Sequence, residues 1–169
     1  MKICVTGITG FIGSVVGHKI LDEGYSVVGT CRTCNKEINM PELSLFETGD
    51  INGTTDWTSA LEGADAVVHT IARAHFVNDA NSDSLEAYRR VNLHGSVNLA
   101  RQAAASGVKR FIFLSSVKVN GDISPVTYTE FDKPSPEDSY GISKMEAERA
   151  LRQIANQTGM TVTTVSYTH

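Results

Sequence analysis

Apolar residues fall into short runs closed by glycine, alternating with longer stretches of helical spacing, and this alternation predicts the architecture. KICVT is an apolar run ended by Gly7, the pattern of a buried strand. From Gly13 to Glu23 the residues Val15, Val16, Ile20 and Leu21 recur on one helical face, and Gly24 is a stop signal. YSVVGTC reads as the second strand, and SLFETGDI as a strand running into a turn. Residues 57–62 suit a short helix ended at Gly63, and ADAVVHTIA is the next buried strand. Residues 84–106 have the spacing of a long helix stopped by Gly107, followed by the strand KRFIFLSS. A loop rich in Pro, Ser, Asp and Gly (120–139) leads into a helix over 140–158, which Gly159 ends before a last strand, MTVTTVSY. Such alternation predicts an α/β fold over residues 1–169: a doubly wound parallel sheet of about six strands, Rossmann-type, in three layers, with the first and last three strands forming its halves.

Composition narrows the function. A chain of 169 residues with a net charge of −4 fits one domain with a buried core. Charges of both signs are scattered, so no basic patch for nucleic acid and no charged membrane-binding face is expected. The apolar runs are too short to span a bilayer, and MKICVTGITGFIG runs into a glycine turn unlike a signal peptide, which points to the cytoplasm. Of three cysteines, Cys31 and Cys34 form a C-x-x-C. It has neither a second ligand pair for zinc nor a visible helix N-terminus for a redox thiolate, so reduced thiols and no metal are expected. His18, His69, His75 and His94 form no ligand cluster, and the acids show no paired-carboxylate arrangement.

The chemistry-bearing residues lie at predicted strand ends. In TGITGFIGS, Gly7 permits a tight turn, Gly10 permits close approach of backbone to a ligand, and Gly13 lets the helix pack on the strand. The spacing G-x-x-G-x-x-G is one residue longer at its start than the common dinucleotide fingerprint, so a pyrophosphate site and a purely structural turn both fit. The second strand ends GTCRTCNK with no acid for a ribose 2′-OH. Arg32 there suits a 2′-phosphate, hence NADP binding at least as well as NAD, or is a solvated surface residue. In YGISK, Tyr140 and Lys144 share a helix face. A tyrosine with a pKa of about 10 is a poor base at neutral pH, and a neighbouring ammonium favours its phenolate. Such a pair can move protons at a sugar hydroxyl or ketone, or can simply decorate a helix. Ser115 and Ser116 stand at the ligand-binding end of the KRFIFLSS strand, where a hydroxyl can donate to an oxyanion.

Taken together, TGITGFIG, GDI at 49–51, VNLHGSVNL, FLSSVKVNG and YGISK occur in the order seen in extended short-chain dehydrogenases/reductases. Essentially the whole chain resembles the NAD-dependent epimerase/dehydratase branch typified by UDP-glucose 4-epimerase. IARAH, SSVKVNG and PEDSYGISK look most like bacterial nucleotide-sugar epimerases and 4-keto-sugar reductases of surface-polysaccharide synthesis. The resemblance implies NAD or NADP as cofactor and a UDP-sugar, or another nucleotide-diphosphate sugar, as substrate. By motif, Ser116, Tyr140 and Lys144 are the catalytic residues: Tyr140 exchanges the proton at the sugar O4, Lys144 binds the nicotinamide ribose and tunes Tyr140, and Ser116 polarises the C4 carbonyl. Phe11 and Ile12 lie against the pyrophosphate, Asp50 and Ile51 border the adenine, and Thr70, Ile71, Ala72, Arg73, Asn92 and Ser115 line the cofactor channel. Read without the resemblance, Asp50 is a turn former and Asn92 a helix residue bonding locally. The family also implies a homodimer joined by a four-helix bundle of the 84–106 and 140–158 helices, with Ala103, Ala104, Ala147 and Ala150 allowing close contact. Its Arg-Pro segment and C-terminal substrate domain are absent after TTVSYTH. The alternative is therefore a non-catalytic NAD(P)-binding module or inactive fragment, with negligible turnover expected of these residues alone.

Overall fold

The computed structural model describes residues 1–33, 40, 43–74, 84–122, 127–129 and 131–166. Six parallel strands form one sheet: β1 (Lys2–Thr6), β2 (Ser26–Cys31), β3 (Ser44–Glu47), β4 (Ala66–His69), β5 (Arg110–Leu114) and β6 (Thr161–Val165). Their spatial order is β3-β2-β1-β4-β5-β6, the doubly wound arrangement expected, with the reversal of direction between β1 and β4. The helices are α1 (Phe11–Asp22), α2 (Thr58–Leu61), α3 (Leu85–Tyr88), α4 (Ser96–Ala105) and α5 (Ser139–Thr158), with a 3-10 turn at Val117–Val119.

Both faces of the central strands β1, β2 and β4 are covered, which is why these read as unbroken apolar runs, whereas the edge strand β6 is mostly exposed. Cys4, Val28, Val67, Phe111 and Phe113 meet Leu99, Ala103, Ala147 and Leu151 of α4 and α5 on one face. Ile3, Val5, Val27 and Val68 pack with Ile8 and the apolar side of α1 on the other. Asp138 caps α5 by accepting from the Gly141 amide at 2.6 Å, and Gly159, at φ 74°, closes its far end in the left-handed region.

Three expectations need correction. β4 ends at His69 rather than running on through Ala72, because Thr70 turns back to bond Thr6: its hydroxyl donates to the Thr6 carbonyl at 2.6 Å. The 84–106 helix is not uniform, since a π-helical segment (Arg89–Gly95) separates α3 from α4. Its wider turn carries Asn92, whose side chain bonds outside the helix. Cys31 is disulfide-bonded, not a reduced thiol. Cys34 and His75 lie outside the described residues. Cys4 is free, and burial pushes its thiol up to about 12. Among the described residues, no helix is long and apolar enough to cross a membrane, and no group of three or more His, Cys, Asp and Glu could hold a metal ion.

Candidate cofactor site

The C-terminal ends of the strands open, around the reversal point, onto a cleft of about 1380 Å³. Gly7, Gly10, Phe11, Ile12 and Gly13 form its head, and Arg32, Asp50 and Ile51 one flank. Thr70, Ile71, Ala72 and Arg73 form the opposite wall, with Leu114 and Val165 beyond. Each was expected at the cofactor, save Leu114 and Val165. Thr9, Ala87, Arg90 and Val91 also line the cleft and were not foreseen, because nothing in their residue types marks them.

The glycine turn is shaped by close approach. Gly7 sits at φ 69° and its carbonyl accepts from the Gly10 amide at 2.9 Å. A Cβ on Gly13 would stand 2.2 Å from that same carbonyl oxygen and 3.0 Å from Thr70 Oγ1. Gly13 therefore does what the sequence suggested, seating α1 against the end of β1. The N-cap of α1 is Gly10, which offers no side-chain cap, and the first turn has no acid. Free amides and the positive end of the helix dipole thus face the cleft, a ready seat for a pyrophosphate.

On the flank, Arg32 Nε lies 2.9 Å from Asp50 Oδ1, and both side chains are mostly exposed. The arginine expected at a 2′-phosphate is therefore paired with a carboxylate, which weighs towards NAD.

Behind the opposite wall, buried polar side chains satisfy one another. His69 bonds Thr6 Oγ1 at 2.7 Å and Ser96 Oγ at 2.9 Å and stacks on Phe113. Burial, helped by the charge of Lys144, pulls its pKa down to about 3, so the ring is neutral. Asn92 Oδ1 accepts from the Arg73 amide at 2.8 Å, and its Nδ2 donates to the Arg73 carbonyl and to Ser143 Oγ. Ser143 in turn donates to the Tyr140 carbonyl at 2.7 Å. Asn92 is not on the cleft surface; it fixes the 70–73 wall to the first turn of α5.

The expected catalytic residues lie on α5 and just past the end of β5, outside the cleft lining. The Tyr140 ring is half-buried and meets Tyr88 edge-on at 6.2 Å, while the Arg73 guanidinium lies 5.6 Å from the Tyr88 ring. Lys144 is buried, its Nζ donating to the Leu114 carbonyl at 2.5 Å and lying 3.9 Å from the Phe113 ring centroid. Burial lowers its pKa to about 7, against the opposing pull of Glu148. Ser116 is buried and accepts from the Lys118 amide at 3.3 Å, capping the 3-10 turn. Ser115, expected at the cofactor, instead donates its hydroxyl to Glu148. Sequence reasoning missed His69, Ser143 and Glu148 as parts of this network; Ser143 lay inside the YGISK motif, and Glu148 one turn past Lys144.

Known proteins of the same family and fold match the chain. The model of the NAD dependent epimerase/dehydratase family matches residues 3–169. UDP-glucose 4-epimerase of Vibrio cholerae is 44% identical over 164 residues, covering 95% of this chain and 49% of the relative. The structure of UDP-glucose 4-epimerase with UDP-glucose from Thermotoga maritima superposes with a TM-score of 0.82 at 27% identity, over 99% of this chain and 55% of that one. MoeE5 in complex with UDP-glucose and NAD gives 0.81 at 25% identity, over 98% and 53%. The chain spans about half the length of the relatives it matches.

Proposed function

The chain belongs to the NAD-dependent epimerase/dehydratase family, and on that premise we propose that it forms the cofactor-binding part of an enzyme that epimerises a UDP-sugar at C4 with bound NAD. The observation that carries this reading is one cleft with the uncapped glycine turn of α1 at its head and the wall held by Asn92 along its side. The shape fits a dinucleotide because any side chain at Gly13 would invade the Gly7 carbonyl, and its absence leaves the backbone there open to close approach.

NAD, when bound, supplies the acceptor and donor of hydride at the sugar carbon. The chain's own residues do the rest. Amides of the α1 N-terminus hold the pyrophosphate, and Asp50 and Ile51 border the adenosine. Thr70 to Arg73, anchored through Asn92, keep the channel wall in register. Tyr140 takes and returns the proton at the sugar O4, and Ser116 donates to the C4 oxygen as its charge grows. Lys144, with a pKa brought to about 7, supplies a positive charge near that phenol, which favours the phenolate.

That these relatives are 4-epimerases favours epimerisation over 4-keto reduction. The role in surface-polysaccharide synthesis rests on motif wording alone. A homodimer through α4 and α5 belongs to the same proposal, but Ala103 and Ala147 are fully buried within the protomer, which leaves Ala104 and Ala150 for such contact. A non-catalytic cofactor module is the second reading, favoured by the engagement of Ser116 and Lys144 with the protein's own backbone.

The test joins the chain to the second half of the Vibrio cholerae relative and follows interconversion of UDP-glucose and UDP-galactose. Tyr140→Phe should cut turnover by about 10²–10⁴-fold, the usual worth of a general acid–base group, while NAD affinity by calorimetry stays within a factor of about three. Undiminished turnover by the Phe variant would remove Tyr140 from the mechanism, and a fusion that binds NAD without turnover would favour the non-catalytic reading.

A further inference from the structure

Two adjacent residues at the end of β5 are gripped by two side chains one turn apart on α5. Lys144 Nζ donates to the Leu114 carbonyl, and Glu148 accepts from the Ser115 hydroxyl. Positions i and i+4 share a helix face, so the ammonium and the carboxylate are neighbours as well as separate anchors. Ser115 is buried and immediately precedes Ser116, the residue read as donor to the reacting oxygen. Whatever fixes Ser115 also fixes where Ser116 stands.

We propose that Glu148 is a positioning residue of the site: it pins the Ser115–Ser116 corner to α5 and keeps the buried Lys144 in its charged form. The role in turnover rests on the reading of Ser116 and Lys144 given above, whereas the coupling between Glu148 and Lys144 does not. Among the described residues, the groups around Lys144 include Glu148 and Tyr140 one turn either side on its own helix, the neutral ring of His69 from β4, and the ring of Phe113 from β5. Of these, the carboxylate of Glu148 opposes the cost of burying an ammonium. Burial has already brought Lys144 to about 7, so a change in its surroundings alters its charge at physiological pH. A surface lysine near its ordinary value would not respond in this way.

The experiment titrates Lys144 by the NMR shifts of its side chain, assigned by their loss in Lys144→Met, and in parallel follows NAD affinity against pH. Glu148→Gln keeps the size of the side chain and an acceptor for Ser115 but removes the charge. Its Lys144 midpoint should move to lower pH by about tenfold in proton concentration, the scale of one close opposite charge. Glu148→Asp retains the charge and should titrate close to wild type. NAD affinity of the Gln variant should begin to fall at a correspondingly lower pH. A Gln variant that titrates like wild type overturns the proposal. An Asp variant that shifts as far as Gln was expected to shift also overturns it, and this result stands even if the Gln protein fails to fold. A shifted midpoint with an unchanged NAD profile supports the coupling and counts instead against the assignment of Lys144 to the cofactor.

Discussion

Replacing Gly13 by Ala is the sharpest perturbation of the proposed pyrophosphate seat, because the structure fixes both its sign and its scale. The added methyl would stand 2.2 Å from the Gly7 carbonyl oxygen and 2.8 Å from its carbon. The oxygen belongs to backbone held by the Gly10 amide, so no rotamer change relieves the contact, and the start of α1 must withdraw by about 1 Å. Overpacking of this kind costs about 1–3 kcal/mol, and a rigid backbone partner puts it at the upper end. Alanine returns at most about 1 kcal/mol of helix propensity. The net loss is about 2 kcal/mol, which for a chain of this size lowers the melting temperature by about 4–8 °C.

Gly17→Ala in the same helix is the control. Its methyl would meet Ile8 Cδ1 at 2.3 Å, the far end of a side chain that can turn aside. The propensity gain is similar, so stability should stay within about 1 kcal/mol of wild type and NAD affinity should be unchanged. Gly13→Ala should weaken NAD binding at least about tenfold, since a misplacement of about 1 Å already spoils positioned contacts. Thermal melts and calorimetry of the two variants decide the matter. A Gly13→Ala protein as stable as Gly17→Ala, or one that binds NAD like wild type, would refute the close-approach argument.

Asp50→Asn frees Arg32 from its ion pair, so NADP affinity should rise about tenfold relative to NAD, on the scale of one charge-assisted hydrogen bond, and adding Arg32→Ala should reverse the gain. Fluorescence titration with both cofactors checks this; an unchanged ratio in Asp50→Asn would take Arg32 away from the 2′ position. His69 has a folded pKa of about 3 against an ordinary 6.5. Between those values the unfolded chain binds a proton that the folded chain does not, so stability is full above 6.5 and falls as pH drops towards 3. His69→Gln should flatten this slope in urea melts at pH 7, 5 and 4, and parallel slopes in the two proteins would show that His69 does not contribute to it.

Order and type of most elements were legible because the central strands are buried on both faces and each helix the spacing predicted is followed by glycine. Gly24, Gly107 and Gly159 all take positive φ beyond helix ends, as a stop signal requires. The reach of β4 was not legible: ADAVVHTIA is apolar throughout, and only the bonding of Thr70 back to Thr6 shows where pairing stops. Nor was the π-helical segment, since RRVNLHG keeps acceptable helical spacing and the bond of its Asn92 to the Arg73 backbone lies across space. For the site, glycine spacing carried most of the information. The motif placed Tyr140 and Lys144 on one helix face, but periodicity names a face and not a partner. Burial of Lys144 against Leu114, and the turn of Ser115 towards Glu148, depend on how α5 lies on β5.

The head of the cleft and the residues behind its far side are therefore prepared differently. At α1 the amides of the first turn have no partner within the helix or from a capping side chain, so an anionic ligand completes bonding that the fold leaves open. At β5 and α5 the polar groups are already satisfied: Lys144 by Leu114, Ser115 by Glu148, Asn92 by Arg73 and Ser143. A ligand hydroxyl that draws Lys144 into the cleft must replace its bond to the Leu114 carbonyl, so Lys144 adds to affinity only what the new bond exceeds the old one by. On the proposed reading, affinity for a dinucleotide depends mainly on the α1 end, while the exchange at Lys144 would bear on proton transfer. That division is why Gly13→Ala should be read in binding and Tyr140→Phe in turnover.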